Sequence, residues 1–141
     1  QTRVGGELVE VASEESTQGL WGFLRGGFRA VTQKPAPVSG DPWSRFVPHH
    51  TVYLLTPIWG GNVSPAMRGF VSAADFGGKE VYIVTLQADP NRQGSGKVHE
   101  LLAAMIEERG GSVSLAYALH GAPPGKYAGD EHLEEEFQKL V

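Results

Sequence analysis

The stretch Thr56-Pro57-Ile58-Trp59-Gly60-Gly61-Asn62 concentrates residue types suited to holding a flat ligand. It follows the apolar run Thr51 to Leu55, and Pro57 is expected to stop that strand because proline has no amide to donate. Trp59 offers an indole that can cover an aromatic ring, while Gly60 and Gly61 let backbone amides approach a ligand edge closely, with Asn62 beside them. A hydrophobic cap on the sheet end and a plain tight turn are the simpler readings of the same residues. Thr56 and Pro57 by themselves read as strand-end chemistry.

Other chemistries find less support. Arg92-Gln-Gly-Ser-Gly-Lys97 departs from the G-x-x-x-x-G-K-[ST] spacing of a phosphate loop and reads as a helix start with a flexible lead-in. His49 and His50 lack a cysteine or carboxylate at ligand spacing, so no metal site is expected. His99 and His132 read as surface residues. Glu131 and Glu134 to Glu136 read as a solvated helical face, or else as a docking patch for a basic redox partner. No serine, histidine and carboxylate set stands out for hydrolysis, and no catalytic side chain is assigned. With no cysteine in the chain, disulfides, zinc-thiolate sites, iron-sulfur clusters and thiol nucleophiles are excluded. Redox chemistry would have to come from a bound cofactor.

The elements that would carry these loops follow from periodicity. Glu7 to Val11 reads as a short strand, and Leu20, Leu24, Phe28 and Val31 give one apolar face to a glycine-rich helix ended by Lys34-Pro-Ala-Pro37. Asp41 to His50 is loop with one helical turn around Trp43 to Phe46. Thr51 to Leu55, Glu80 to Leu86 and Ser112 to Leu119 are continuous apolar runs, the pattern of parallel strands buried on both faces. Ser64 and Pro65 start a brief helix with Met67, Phe70 and Val71 inward. Lys97 to Arg109 is a helix with Val98, Leu101, Leu102, Met105 and Ile106 on one face and Gly110-Gly111 as its stop. Asp130 to Val141 closes the chain as a helix with Leu133, Phe137 and Leu140 inward.

Strand and helix alternate, which predicts an α/β fold with an open parallel sheet and helices on both faces in three layers. Ligands in such sheets sit beyond the carboxyl ends of the strands, where the loops after Leu55 and Leu86 fall. A length of 141 residues suits a single domain over 1–141. The net charge of -4 gives no electrostatic basis for binding nucleic acid or anionic lipid. No apolar run reaches the roughly 20 residues of a membrane span, so a cytoplasmic, soluble protein is expected. The chain begins with Gln1, and no signal-peptide core follows. It is therefore expected to be a processed form or a piece of a longer protein.

The order T-P-x-W-x-G-x-x-x-P-x-x-x-x-F over Thr56 to Phe70 resembles the loop after the third strand in the flavodoxin-like family, where it lies against the isoalloxazine ring of FMN. On that resemblance nearly the whole chain aligns. Glu7 to Val11 would be the second strand, Gly19 to Val31 an aromatic- and glycine-rich insertion, and the runs at 51, 80 and 112 the third to fifth strands. The resemblance implies FMN as cofactor, with Thr56, Pro57, Ile58, Trp59, Gly60, Gly61 and Asn62 in one ring-contacting loop. Gln87, Ala88 and Asp89 would flank the ring's pyrimidine side, Gln87 as a hydrogen-bonding residue. It further implies a flavoprotein in electron transfer, as a carrier for a redox partner protein or as an NAD(P)H-dependent oxidoreductase. The first strand, the S-x-T-G-x-T phosphate loop and the first helix of the family have no counterpart here. A cofactor-free interaction domain that keeps the fold is the alternative, and a homodimer is left open.

Overall fold

The computed structural model describes residues 6–13, 35–122 and 128–139. Three strands run parallel and side by side: β1 (Thr51–Trp59), β3 (Glu80–Gln87) and β4 (Ser112–His120). Thr51 to Pro57 are in register with Glu80 to Leu86, and β3 continues onto β4 with one irregularity where Ser114 is the extra residue. A two-residue strand, β2 (Asn62–Val63), folds back antiparallel on the end of β1, giving the order β2-β1-β3-β4. The result is an α/β fold with an open, partly parallel four-stranded sheet.

Helices α1 (Pro42–Phe46), α2 (Pro65–Ala73) and α3 (Ser95–Glu108) contribute to one core with the inner sheet face. Leu54, Val81 and Ile83 meet Phe70 and Val71 of α2 and Val98, Leu102 and Ile106 of α3 in a single contiguous cluster. Apolar residues at spacings of three and four put one helical stripe on the sheet, and burying it stabilises helices too short to persist alone. From α1, Phe46 packs edge-on against Phe70 at 5.4 Å and Phe76 at 5.0 Å. The buried Lys79 ammonium donates to the carbonyls of Val47 at 2.8 Å and His49 at 2.6 Å, tying the exit of α1 to the start of β3. The last helix, α4 (Asp130–Gln138), comes after β4.

Several expectations are corrected. Glu7 to Val11 forms no strand, and the segment's only described bridge joins Ser13 to Val38. Pro57 does not stop β1, which runs on to Trp59. The parallel strands are not buried on both faces. The alternation of the pleat puts Tyr53, Leu55, Tyr82, Val84, Leu115 and Tyr117 on the side away from α2 and α3. There Leu55 is 53% exposed, Tyr53 49% and Leu115 39%. On α4 the buried residue is Glu136, 2% exposed, whereas Phe137 is 40% exposed. Leu140 and the helix expected through Leu20 to Val31 lie outside the described residues.

Candidate functional site

The two loops singled out in the sequence leave the carboxyl ends of neighbouring strands, because Pro57 of β1 is in register with Leu86 of β3. The first of them is a β-hairpin joining β1 to β2. Trp59 pairs with Asn62, and Gly60 and Gly61 between them have φ of 54° and 73°. Two successive positive φ values at a two-residue connection suit the right-handed twist of the strands, and glycine meets them without a Cβ penalty. Trp59 and Asn62 are half-buried, and Asn62 Nδ2 donates to the Gly60 carbonyl at 3.3 Å.

Thr56 is buried and engaged. Its hydroxyl donates to the Pro57 carbonyl at 3.3 Å and lies 3.0 Å from Ser64 Oγ, which accepts the Met67 N–H at 3.3 Å. This short chain of hydrogen bonds locks the end of β1 to the N-cap of α2 and uses the Thr56 hydroxyl internally. Ile58 is half-buried against the core, and Pro57 is exposed.

After β3, Asp89 organises the turn rather than facing a ligand. Its two carboxylate oxygens accept the N–H groups of Asn91 at 2.9 Å and Gln93 at 3.1 Å. The Ala88 carbonyl accepts from His120 Nε2 at 3.2 Å. Gln87 is buried, and its Nε2 donates to the Gln93 carbonyl at 3.0 Å, but its Oε1 is buried with no partner. An unsatisfied buried acceptor costs roughly 1–3 kcal/mol, so Gln87 Oε1 is the atom of this region with chemistry to spare.

A second polar cluster, built at the end of β4, was not anticipated. Arg92, at φ 54°, donates through Nε to the Ala118 carbonyl at 2.9 Å and through Nη2 to Glu136 Oε2 at 2.6 Å. The same oxygen accepts the His120 N–H at 2.9 Å, and Lys139 donates to the other carboxylate oxygen. His132 Nε2 donates to the His120 carbonyl at 2.9 Å, and the two imidazoles meet edge to face at 5.0 Å. Burial would raise the Glu136 carboxyl. The hydrogen bonds from His120, Lys139 and Arg92, with the Arg92 charge, outweigh it and hold the group down at about 2. Leu133, Glu136 and Leu140 stand at spacings of three and four, so the inward face of Glu136 was a signal the sequence contained.

His99 is not a plain surface residue. Its Nε2 lies 2.8 Å from the hydroxyl of fully buried Thr85, and burial pushes the imidazole below its usual range. Arg68 of α2 is buried with Nε and Nη2 unpartnered, and burial lowers it also. An open groove of about 440 Å³ runs between Pro35 to Val38, Trp43 and the Gly69 to Ala73 side of α2, remote in lining from both predicted loops. Among the described residues no group of three histidine or acidic side chains is placed to hold a metal ion, and no helix is long and apolar enough to cross a membrane. No protein-family model, no curated protein and no solved structure matches this chain.

Proposed function

We propose that the chain is a flavodoxin-like domain that receives the ring of FMN between the loops after β1 and β3 and serves electron transfer, as a carrier or as an NAD(P)H-dependent reductase. The observation that carries this reading is the buried, unpartnered Gln87 Oε1 on a strand neighbouring the one that ends in Trp59. An acceptor without a donor suits the ring N–H of a heterocycle, and a half-buried indole suits its face. The order of β1, β3 and β4 is also the one the family expects of its third to fifth strands. The ring end therefore fits. For the phosphate no residue of this chain is assigned, because Thr56 and Ser64 bond to each other and no serine- and threonine-rich loop stands beside them among the described residues. When bound, FMN would supply the redox chemistry, and these residues would orient the ring.

Titrating the purified chain with FMN and with lumiflavin, the same ring without a phosphate, tests this by quenching of flavin fluorescence. Both should bind with similar affinity, and Trp59→Ala should weaken both by about three- to tenfold, the worth of one aromatic contact. Gln87→Leu should do likewise. Absence of quenching with either flavin at millimolar concentration would sink the reading. It would favour a cofactor-free interaction domain, a second reading supported by the internal use of the Thr56 hydroxyl and the Asp89 carboxylate.

A further inference from the structure

The outer edge of β1 has an organisation that the flavin reading does not use. Glu80 N–H donates to the His50 carbonyl at 2.8 Å, and backbone groups of successive residues in a strand point to opposite sides. Even-numbered residues of β1 therefore face β3, and Thr51, Tyr53, Leu55 and Pro57 direct their polar backbone groups outward. β2 covers that edge only at Ile58 and Trp59, leaving Thr51 to Pro57 without a strand partner among the described residues. Pro57, which has no N–H, belongs to the outward set, so it costs no bond to β3.

Natural sheet edges are guarded by charges, proline, bulges or brevity, and on this edge only Pro57, at the last position, is of that kind. From Thr51 to Pro57 there is no charged residue and the register is regular. The other edge, β4, carries the irregularity at Ser114, which blunts it. The unguarded stretch is also self-complementary. Antiparallel pairing about a two-fold axis at Leu54 sets Tyr53 opposite the partner's Leu55, and Leu55 opposite the partner's Tyr53, both as doubly hydrogen-bonded pairs. These are the two most exposed apolar side chains on the outer sheet face. Thr51 then faces the partner's Pro57, whose carbonyl accepts the Thr51 N–H, while the Thr51 carbonyl, at the end of the slot, is left to water. The slot of about 23 Å, seven residues at about 3.3 Å each, ends where β2 begins and so admits one strand of the same length.

We propose that two copies of this chain pair through the β1 edges to form a closed homodimer with a continuous sheet. A two-fold contact of this kind uses the same patch on both subunits and leaves no edge at the seam for further growth. An uncharged, self-matching edge selects a second copy over a partner of opposite charge, since it offers such a partner nothing to pair with.

The full chain should sediment as a dimer at about 100 µM and dissociate on dilution, with the amides of Thr51, Tyr53 and Leu55 protected from hydrogen exchange in the dimer. The double variant Tyr53→Lys with Leu55→Lys puts like charges directly opposite each other twice and should weaken the dimer by about tenfold or more. Leu115→Lys, on the same face but away from the edge, should leave it unchanged. Mixing the double lysine variant with Tyr53→Glu/Leu55→Glu should restore a heterodimer, which a misfolded variant could not do. A monomer whose three amides exchange freely overturns the proposal. So does a monomer in which they are protected, because the chain's own residues then fill the edge. Assemblies that grow with concentration overturn it as well, because the pairing is then not closed.

Discussion

Glu136 illustrates how far one side chain's role can differ from its type. Three acidic neighbours suggest a solvated face, yet its carboxylate gathers Arg92, Lys139 and the His120 N–H at the seam between α4 and the end of β4. Replacing it as Glu136→Gln should cost about 1–3 kcal/mol, since Arg92 and the His120 amide lose a charged acceptor. The carboxyl is held at about 2 in the folded chain against 4.5 ordinarily. Over that interval the unfolded chain binds more protons than the folded one, so stability rises with pH there. The contribution is fully present above about pH 4.5 and is lost as pH falls through about 2. Thermal melts of the parent chain and of Glu136→Gln across pH 2 to 7 should converge toward the acid end. His99 acts in the same direction at higher pH. Its imidazole is depressed by burial beside Thr85, so acidification below its usual range also disfavours the fold.

At the scale of elements, α2 depends on what lies against both of its sides. One side rests on the sheet through Phe70 and Val71, while Gly69 opposes the Ala36 carbonyl, which a Cβ at Gly69 would strike. In an open helix, Gly→Ala stabilises by up to about 1 kcal/mol. Here Gly69→Ala should destabilise by about 1–3 kcal/mol through overpacking, a reversal of sign that urea unfolding would read directly. The hairpin after β1 has a comparable requirement. Gly60 and Gly61 both sit at positive φ, so Gly61→Val should raise the cost of the turn and move Trp59 relative to Gln87. Flavin binding should then fall together with the melting temperature, by about 1–2 kcal/mol of stability. Pro57 reads as a strand end in the sequence because proline lacks a donor. It is accommodated within β1 because the missing donor faces an edge rather than β3.

For the whole molecule, the sheet has one face that carries the core and one whose large apolar residues remain exposed. Ile83→Ala, at a fully buried inner position, should cost about 2–5 kcal/mol, whereas Leu115→Ala on the outer face should cost under about 1 kcal/mol. Equal losses at both sites by chemical denaturation would mean that the outer face is covered. Local patterning was enough to read the three long strands, the helices at 65 and 95, the turn at 43 to 46 and the α/β class, because period and capping are encoded within a few residues of each element. The pairing of Trp59 with Asn62, the partners of the Glu136 carboxylate and the internal use of Thr56 and Asp89 were not legible. The Glu136 carboxylate meets groups from distant parts of the backbone, while Thr56 and Asp89 bond to groups within eight residues that take the place of a ligand, and in both cases hydrogen bonds and desolvation decide the outcome. An apolar run says that a strand will form. Whether one or both of its faces are covered depends on where the helices pack, and only the tertiary structure decided that.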